Sequence, residues 1–551
     1  MMTTRIQIVR TFAARIALVA LASTTLGALS SCRPEDPRST LRLDTLEPVA
    51  LSDGLVYVLP SRSRAVRLQL SPDPAAAPRV TRFAVGPQAV RSVRRPGSDE
   101  VLVLCRGERG SPGVAPIAAT LVALPATASA QPRVYNVGSP FNAVSVTSDG
   151  RFALVHYAPD RTLDRLLFNP NEVAVVDLAA EPSESNPRRR TVRSFGGIPT
   201  SVQFSPSLSI RGEARTIAVV VSTSYVTLLD LAHLDRAETS VRLTLAQDAR
   251  EVVPQQLVFD AESRAFYLRA SGSNDVYLVR LDDSGTPPAE GNDFRASINQ
   301  IGAGRDPSDL ALFGAGDARR LLVVSSGSSE VRVIDPRSNA ITALALDARA
   351  DRVLLFEGPS PRDSTTTLRA LVYPSSSALS ARAVSFIDLG AIETRGSQNL
   401  ETVQVTRTIR RALALPGRST VLFEHDDASN AGRLSLLDLA RRTTAPILAE
   451  VTLSDARFST DARLLWVAPN GNTRVGFVEL DNFHPGEVRL DAPVREVLAL
   501  PSMAGAPSRA IALHEATGGS VTVLDGQRPE RETARNITGF LLTDLVEQEG
   551  P

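Results

Sequence analysis

The chain has 551 residues, 43% of them hydrophobic, with 60 basic and 60 acidic side chains and a formal net charge of zero at pH 7. That length exceeds an average single domain unless the fold is a repeat array, and the composition is that of a packed globular protein. Every basic residue is arginine, so no lysine can serve as Schiff-base nucleophile or general base, and no like-charge run exceeds Arg188-Arg189-Arg190, which leaves no nucleic-acid footprint.

The first 31 residues carry Arg5, Arg10 and Arg15 and no acid, then an apolar run from Ile16 to Ala28, then small residues up to Cys32. A charged start, a short apolar middle and small residues before the cut are the three parts of a secretory signal. The apolar run is shorter than the ~20 residues that span a bilayer, which argues against a retained transmembrane anchor. Leu29-Ser30-Ser31-Cys32 resembles the lipobox of bacterial lipoproteins. The resemblance implies cleavage between Ser31 and Cys32 and a lipid on Cys32 that ties the mature chain to a membrane. The alternative is an ordinary secretory signal with an incidental cysteine. Arg33 follows, where enteric bacteria use Asp to hold a lipoprotein at the inner membrane, and this points to the outer membrane. Residues 32–39 read as a lipidated, polar, proline-containing tether. Loss of residues 1–31 leaves 57 basic and 60 acidic groups. Cys105 is then the sole thiol, no intramolecular disulfide can form, and its place in Val101-Leu102-Val103-Leu104-Cys105 is that of a small buried hydrophobe.

From residue 40 to 551 one short template recurs: apolar, any, apolar, apolar, acid. It reads Val173 to Asp177, Val226 to Asp230, Val331 to Asp335, Val384 to Asp388, Leu434 to Asp438, Val475 to Glu479 and Val521 to Asp525. A degenerate copy, Val276 to Arg280, and two weaker ones starting at Val66 and Ala119 bring the count to ten units. A β-rich run precedes the template, as in Thr216 to Val221 and Leu321 to Val324. A shorter run comes before that, as in Ala143 to Val146 and Ser201 to Phe204. A fourth follows, as in Val241 to Leu245. Openers such as Gly138-Ser139-Pro140 and Gly304-Arg305-Asp306-Pro307 put proline where a strand begins and its missing N–H costs no ladder bond. Four short strands per unit of about 50 residues predict an all-β chain of four-stranded propeller blades. Helix is expected only before a fourth strand.

Val137-Gly138-Ser139-Pro140, Ser148-Asp149-Gly150-Arg151-Phe152 and Val173 to Asp177 together resemble the YVTN-type β-propeller repeat, a relative of the WD40-like superfamily; Pro307 to Asp335 is the next best copy. The resemblance covers about Thr40 to Leu545. It departs from the WD40 pattern in having no Trp-Asp dipeptide, with Trp466 the only tryptophan. It also lacks the Trp-terminated repeats of quinoprotein propellers, which argues against a pyrroloquinoline cofactor. Propellers usually have four to eight blades, so ten units leave three architectures: one large ring, two rings in tandem, or eight blades with extra hairpins. Residues 284–304 are the one plausible seam between rings. Closure by a shared blade would draw on Thr40-Leu41-Arg42-Leu43 or on Ile537 to Leu545.

First strands line a propeller's channel, and here they read as mostly apolar or small: Val90 to Val93, Val144 to Val146, Val202 to Phe204, Leu257 to Phe259, Leu310 to Leu312, Val353 to Leu355, Leu413 to Leu415 and Val497 to Ala499. Asp306, Asp309, Asp351 and Asp455 are expected in the loops that enter such strands, as solvated turn residues. No two of His156, His233, His425, His484 and His514 share a metal-ligand spacing. His156 and His514 sit at second-strand runs and suggest structural roles. His425-Asp426-Asp427 with Asn430 is the most polar cluster, read as an exposed turn rather than a cation site. The repeated acids Asp177, Asp230, Asp335, Asp388, Asp438 and Asp525 are expected to cap turns, because a residue present in most blades serves blade geometry. No nucleophile elbow, P-loop or dinucleotide fingerprint occurs. Asn536-Ile537-Thr538 matches a glycosylation sequon, which carries little meaning in a bacterial lipoprotein.

No catalytic residue, metal or cofactor is expected. The leading expectation is a cell-envelope lipoprotein whose propeller is a binding scaffold for a protein or a cell-wall glycan. Longer insertions at Arg106 to Ile117, Ala158 to Pro170 and Pro359 to Thr367 are its candidate contact loops. Two alternatives stand beside it: a lactonase- or hydrolase-type propeller enzyme with a metal in the channel, and an outer-membrane assembly factor.

Overall fold

In the computed structural model the described residues run from 43 to 547. Outside them lie 72, 74–75, 128, 159–168, 194–198, 244–251, 284–293, 360–365, 376–378, 380–381, 393–399, 406, 415–419, 426–432, 440–441, 447–452, 470, 483 and 502–507. The chain forms ten four-stranded antiparallel sheets, each a blade. In order they span 49–84, 89–138, 143–191, 199–242, 253–302, 307–345, 352–404, 409–446, 453–489 and 494–538. Each blade is a meander, first strand paired to second, second to third, third to fourth. Blade 4 adds a hairpin, Leu208–Ile210 with Glu213–Arg215, between its first and second strands. The ten template copies are the ten third strands, from Arg64–Gln69 to Ser520–Asp525.

First strands of six of the ten neighbouring blade pairs, such as Leu453–Phe458 with Val494–Ala499, touch one another around the axis. Second and third strands, flanked on both faces by adjacent blades, are continuous apolar runs for that reason: Val101–Cys105 is buried at every position. Fourth strands lie outermost and alternate, as Arg133–Gly138 does. Cys105 is fully buried, and burial pushes its thiol up to about 11.

Ten apolar clusters hold the ring, one at each blade interface. Cys105 and Val58 join blades 1 and 2, Tyr135 and Val155 blades 2 and 3, Leu154 and Val220 blades 3 and 4, and Val219 and Phe266 blades 4 and 5. The series continues through Tyr267 and Val323, Val324 and Ala370, Phe386 and Phe423, Leu436 and Val467, and Trp466 and Ala512. The last cluster joins blade 10 back to blade 1, where Leu55, Tyr57 and Leu68 meet Ile511, Leu513 and Phe540. Of the three expected architectures the chain adopts one large ring. The segment proposed as a seam falls partly outside the described residues, and Phe294–Gly302 is the fourth strand of blade 5.

Closure differs from the expectation. Thr40 to Arg42 lie outside the described residues. Arg535–Thr538 is blade 10's own fourth strand, and Leu542–Val546 is a short α-helix. Among the described residues, neither end of the chain adds a strand to the other end's blade. Side chains close the ring instead: buried Asp544 takes Arg64 Nη1 at 2.7 Å and Arg82 Nε at 3.1 Å, and Phe540 packs on Tyr57 with centroids 5.5 Å apart. Helical turns also occur away from the expected place: Pro60–Arg62 links second and third strands, and Gly316–Ala318 links first and second.

Candidate binding surface on the inner rim

Antiparallel meanders give the ring two faces. The chain enters every first strand, and turns from second to third, on one face, here the entry face. First-to-second and third-to-fourth turns lie on the other.

Seven first strands carry a β-bulge at the same place, just inside the entry face. It falls between Ala89 and Arg91, Pro199 and Ser201, Pro254 and Gln256, Pro307 and Asp309, Ile409 and Arg411, Leu453 and Asp455, and Val494 and Glu496. A bulge sets two residues against one and re-aims a side chain. Here it places polar residues immediately before the apolar part of the strand, at the channel mouth. The sequence reading of these strands as mostly apolar holds for their lower halves and misses this ring. Its signal was available: Gln256, Asp309, Arg411 and Glu496 directly precede the apolar runs.

Charge on the rim is uneven. Arg91, Arg352, Arg410, Arg411, Arg457 and Arg495 are exposed on the first strands or at their starts, on blades 2, 7, 8, 9 and 10. Among the first-strand acids whose burial is described, Glu357 is exposed, Glu496 is half-buried and Asp260 and Asp309 are buried. Glu424, on the adjacent second strand, pairs with both Arg410 and Arg411, and Glu496 lies 3.7 Å from Arg457. The opposite arc is neutral, with Ser145, Thr200, Ser201, Gln255, Gln256 and Ser308. On that arc Gln256 links three inner strands. Its amide donates to Asp309 Oδ1 at 2.8 Å, its carbonyl accepts from Arg269 Nε at 2.9 Å, and Asp309 Oδ2 accepts from the Val353 N–H at 2.9 Å. Asp309 is thus a buried strand residue binding blades 5, 6 and 7, not a solvated loop acid, and Asp455 likewise belongs to a strand, Leu453–Phe458. Asp306 is an exposed loop residue, and Asp351 accepts from the Ser375 hydroxyl at 2.9 Å.

A cavity of about 280 Å³ opens on the entry face where blades 10 and 1 meet, lined by Leu43, Tyr57, Arg495, His514, Thr517 and Leu541 among others. Burial raises the Tyr57 phenol to about 12, so it stays protonated there. His514 is buried, with Nδ1 3.0 Å from the Pro493 carbonyl and Nε2 2.8 Å from Thr522 Oγ1.

The other residues singled out in the sequence are placed as follows. Cys32, Leu29, Ser30 and Ser31 lie outside the described residues. The turn acids end third strands on the face opposite entry. Asp177, Asp230, Asp335, Asp388 and Asp525 each accept, through Oδ1, from the N–H two residues on, at 2.7–3.1 Å. Asp438 closes Arg433–Asp438. His425 is a correction: it is buried inside Thr420–His425, with Nδ1 3.1 Å from the Thr408 carbonyl and Nε2 2.5 Å from Ser435 Oγ, while 426–432 lie outside the described residues. Among the described residues no three His, Cys, Asp or Glu side chains stand close enough to hold a metal ion, and no helix is long and apolar enough to cross a membrane.

No family model matches the chain, and no curated protein matches it. Solved structures do. A dihydro-heme d1 dehydrogenase, NirN, in complex with DHE is similar over 72% of each chain at 12% identity, with a TM-score of 0.41. A eukaryotic initiation factor is similar over 81% of this chain and 88% of its own at 11% identity, with a TM-score of 0.38. A mitotic checkpoint complex chain is similar over 58% of this chain and 81% of its own at 13% identity, with a TM-score of 0.32. These likenesses are too distant to carry an argument about activity. The fold rests on the ten blades themselves, which make this chain a ten-bladed β-propeller.

Proposed function

We propose that this protein is a lipid-anchored cell-envelope scaffold that holds a protein or cell-wall glycan partner at the inner rim of its propeller. The observation that supports this most directly is the arc of exposed arginines on blades 7 to 10 and 2, facing an arc of neutral hydroxyls and amides. Ten sealed interfaces keep such a rim rigid, so a partner meets a preorganised surface and little ordering entropy is lost on binding. Arginine presents a planar fork of donors suited to carboxylate and phosphate groups. The lipobox-like Leu29-Ser30-Ser31-Cys32 supports the envelope location.

The test is affinity capture from detergent-solubilised envelopes, with the parent chain beside an Arg410→Glu/Arg411→Glu/Arg495→Glu form. A stoichiometric partner retained by the parent and lost from the variant is the expected result. A partner retained equally by both would move the contact away from the rim. No retained partner, together with a divalent ion carried through purification, would displace the scaffold reading in favour of a hydrolytic one.

A further inference from the structure

Six large apolar side chains are strongly exposed among the described residues: Val114, Ile117, Val134, Ile341, Leu542 and Val546. They are not scattered. Val134 and Ile341 lie at the starts of fourth strands, toward the face opposite entry. The other four lie on the entry face, on either side of blade 1.

Val114 and Ile117 belong to the connection between second and third strands of blade 2. It rises from Cys105 and returns at Ala119 as a hairpin, Glu108 pairing with Ile117 and Ser111 with Val114. Its first residues are tied to the loop entering that blade, Arg106 N–H to the Gln88 carbonyl and Gly107 N–H to the Pro87 carbonyl. It therefore projects beyond the rim with Val114 62% and Ile117 50% exposed. Leu542 and Val546 lie on the short helix after blade 10. Asp544 on that helix is fully buried against Arg64 and Arg82 of blade 1, which fixes the helix and turns Leu542 (51%) and Val546 (61%) outward.

The chain enters the ring between these two patches. Leu43, the first described residue, lines the cavity between blades 10 and 1, together with Thr517 and Leu541 of the entry face. Cys32 is eleven residues earlier. Even fully extended, that stretch reaches no more than ~40 Å, and a less extended one reaches less. A lipid on Cys32 would thus hold the membrane beside the face that carries the outward apolar side chains.

We infer that the blade 10–1–2 sector of the entry face lies on the lipid bilayer, with the 106–117 hairpin and the Leu542–Val546 helix as its two contacts. This rests on the reading of Cys32 as lipidated. The chemistry is interfacial: isolated apolar tips, with Arg106 and Arg109 beside Glu108 on the hairpin itself, suit the headgroup boundary rather than a span. The membrane contact then sets the ring's orientation, which a single lipid attachment point alone would leave free.

The test uses the protein purified from membranes and reconstituted in phosphatidylethanolamine–phosphatidylglycerol vesicles containing brominated lipid. Val114→Trp, Leu542→Trp and Ile341→Trp variants are compared, with fully buried Trp466 as a constant background. A tryptophan at position 114 or 542 should lose about half its emission, as a side chain ~5–10 Å into the interface would, whereas one at 341 should not respond. An anchored protein in which all three remain unquenched overturns the proposal, and leaves this face to a protein partner, while the envelope reading stands. Intact mass separates the two. If Cys32 carries no lipid, the anchoring reading fails, and flotation of that unlipidated protein with the same vesicles decides the face. Flotation abolished by Val114→Asp/Leu542→Asp supports it, and absence of flotation by the parent overturns it.

Discussion

Three of the five histidines occupy one structural position. His156, His425 and His514 are each the last residue of a second strand, at the entry face. Recurrence of a residue at one place in a repeat argues for a geometric job, and the bonds agree. His425 and His514 each reach the carbonyl of the residue just before their blade's first strand, and a hydroxyl on the third strand. They latch the entering chain to the blade. Burial lowers the pKa of His156, against a smaller opposing backbone hydrogen bond at Tyr157; burial lowers that of His425 too, against its bond to the Thr408 carbonyl. In the unfolded chain both imidazoles take up protons below about pH 6.5. The folded chain takes them up only at lower pH, so it is the unfolded state that binds more protons in that window. Stability should therefore fall as pH drops below about 6.5 and owe nothing to these groups above it. Tm at pH 7.5 and 5.5 reads this, and His156→Gln should reduce the difference between the two. An unchanged difference would remove His156 as a contributor.

Within a blade, strand and turn chemistry divide the work. The third strand is an apolar run because neighbours cover both faces. The acid that ends it turns the chain by accepting from a backbone N–H two residues on. Losing one such bond at an exposed turn should cost about 0.5–1.5 kcal/mol. Asp525→Ala, which frees the Gln527 N–H, is expected to lower Tm slightly and leave the blade count and circular dichroism unchanged. Blade 5 shows what replaces the acid: Arg280 occupies that place and donates instead to the Pro336 carbonyl in the corresponding turn of blade 6. The template acids, the proline openers and the apolar runs were all legible, because each is a local device with a local sequence signature. The bulge was not. It is a register event between two strands, and its residues carry no pattern until the pairing partner is known. Polar residues before the apolar runs, such as Arg411, could be read in the sequence, but their shared place on one ring at the channel mouth followed only from pairings such as that of Ile409 and Arg411 with His425 and Glu424.

For the ring as a whole, closure is the distinctive feature. Many interfaces join blades that are consecutive in sequence, but the blade 1–blade 10 interface joins residues over 450 positions apart, as in Arg64 with Asp544. Among the described residues no strand crosses it, so packing, ion pairs and side-chain hydrogen bonds such as Arg82 Nη2 to the Phe540 carbonyl and Arg509 Nη2 to the Ser52 carbonyl resist its opening. Asp544→Ala removes the carboxylate that both Arg64 and Arg82 bind. Because those arginines are partly exposed and can rehydrate, the cost is expected at about 1–3 kcal/mol, below that of breaking a fully buried pair. Hydrogen exchange should show the loss first in blades 1 and 10, in Gly54–Leu59 and Arg509–His514, before blades 5 and 6. Uniform loss around the ring would mean that it opens as one cooperative unit.

The sequence alone was enough for the all-β class and the four-strand unit, since each follows from periodicity and turn residues within about 50 positions; it carried a count of about ten units but left open whether all ten are blades. It could not choose between one ring and two, because that choice depends on whether blade 10 packs on blade 1 or blade 5 on blade 1, and either contact would use the same kind of apolar strand. Nor could it show that arginines from blades 2, 7, 8, 9 and 10 share one arc, or that the hairpin at Val114 and the helix at Leu542 flank the point where the chain enters. Those groupings join residues hundreds of positions apart, and only the closed circle of ten interfaces puts them side by side.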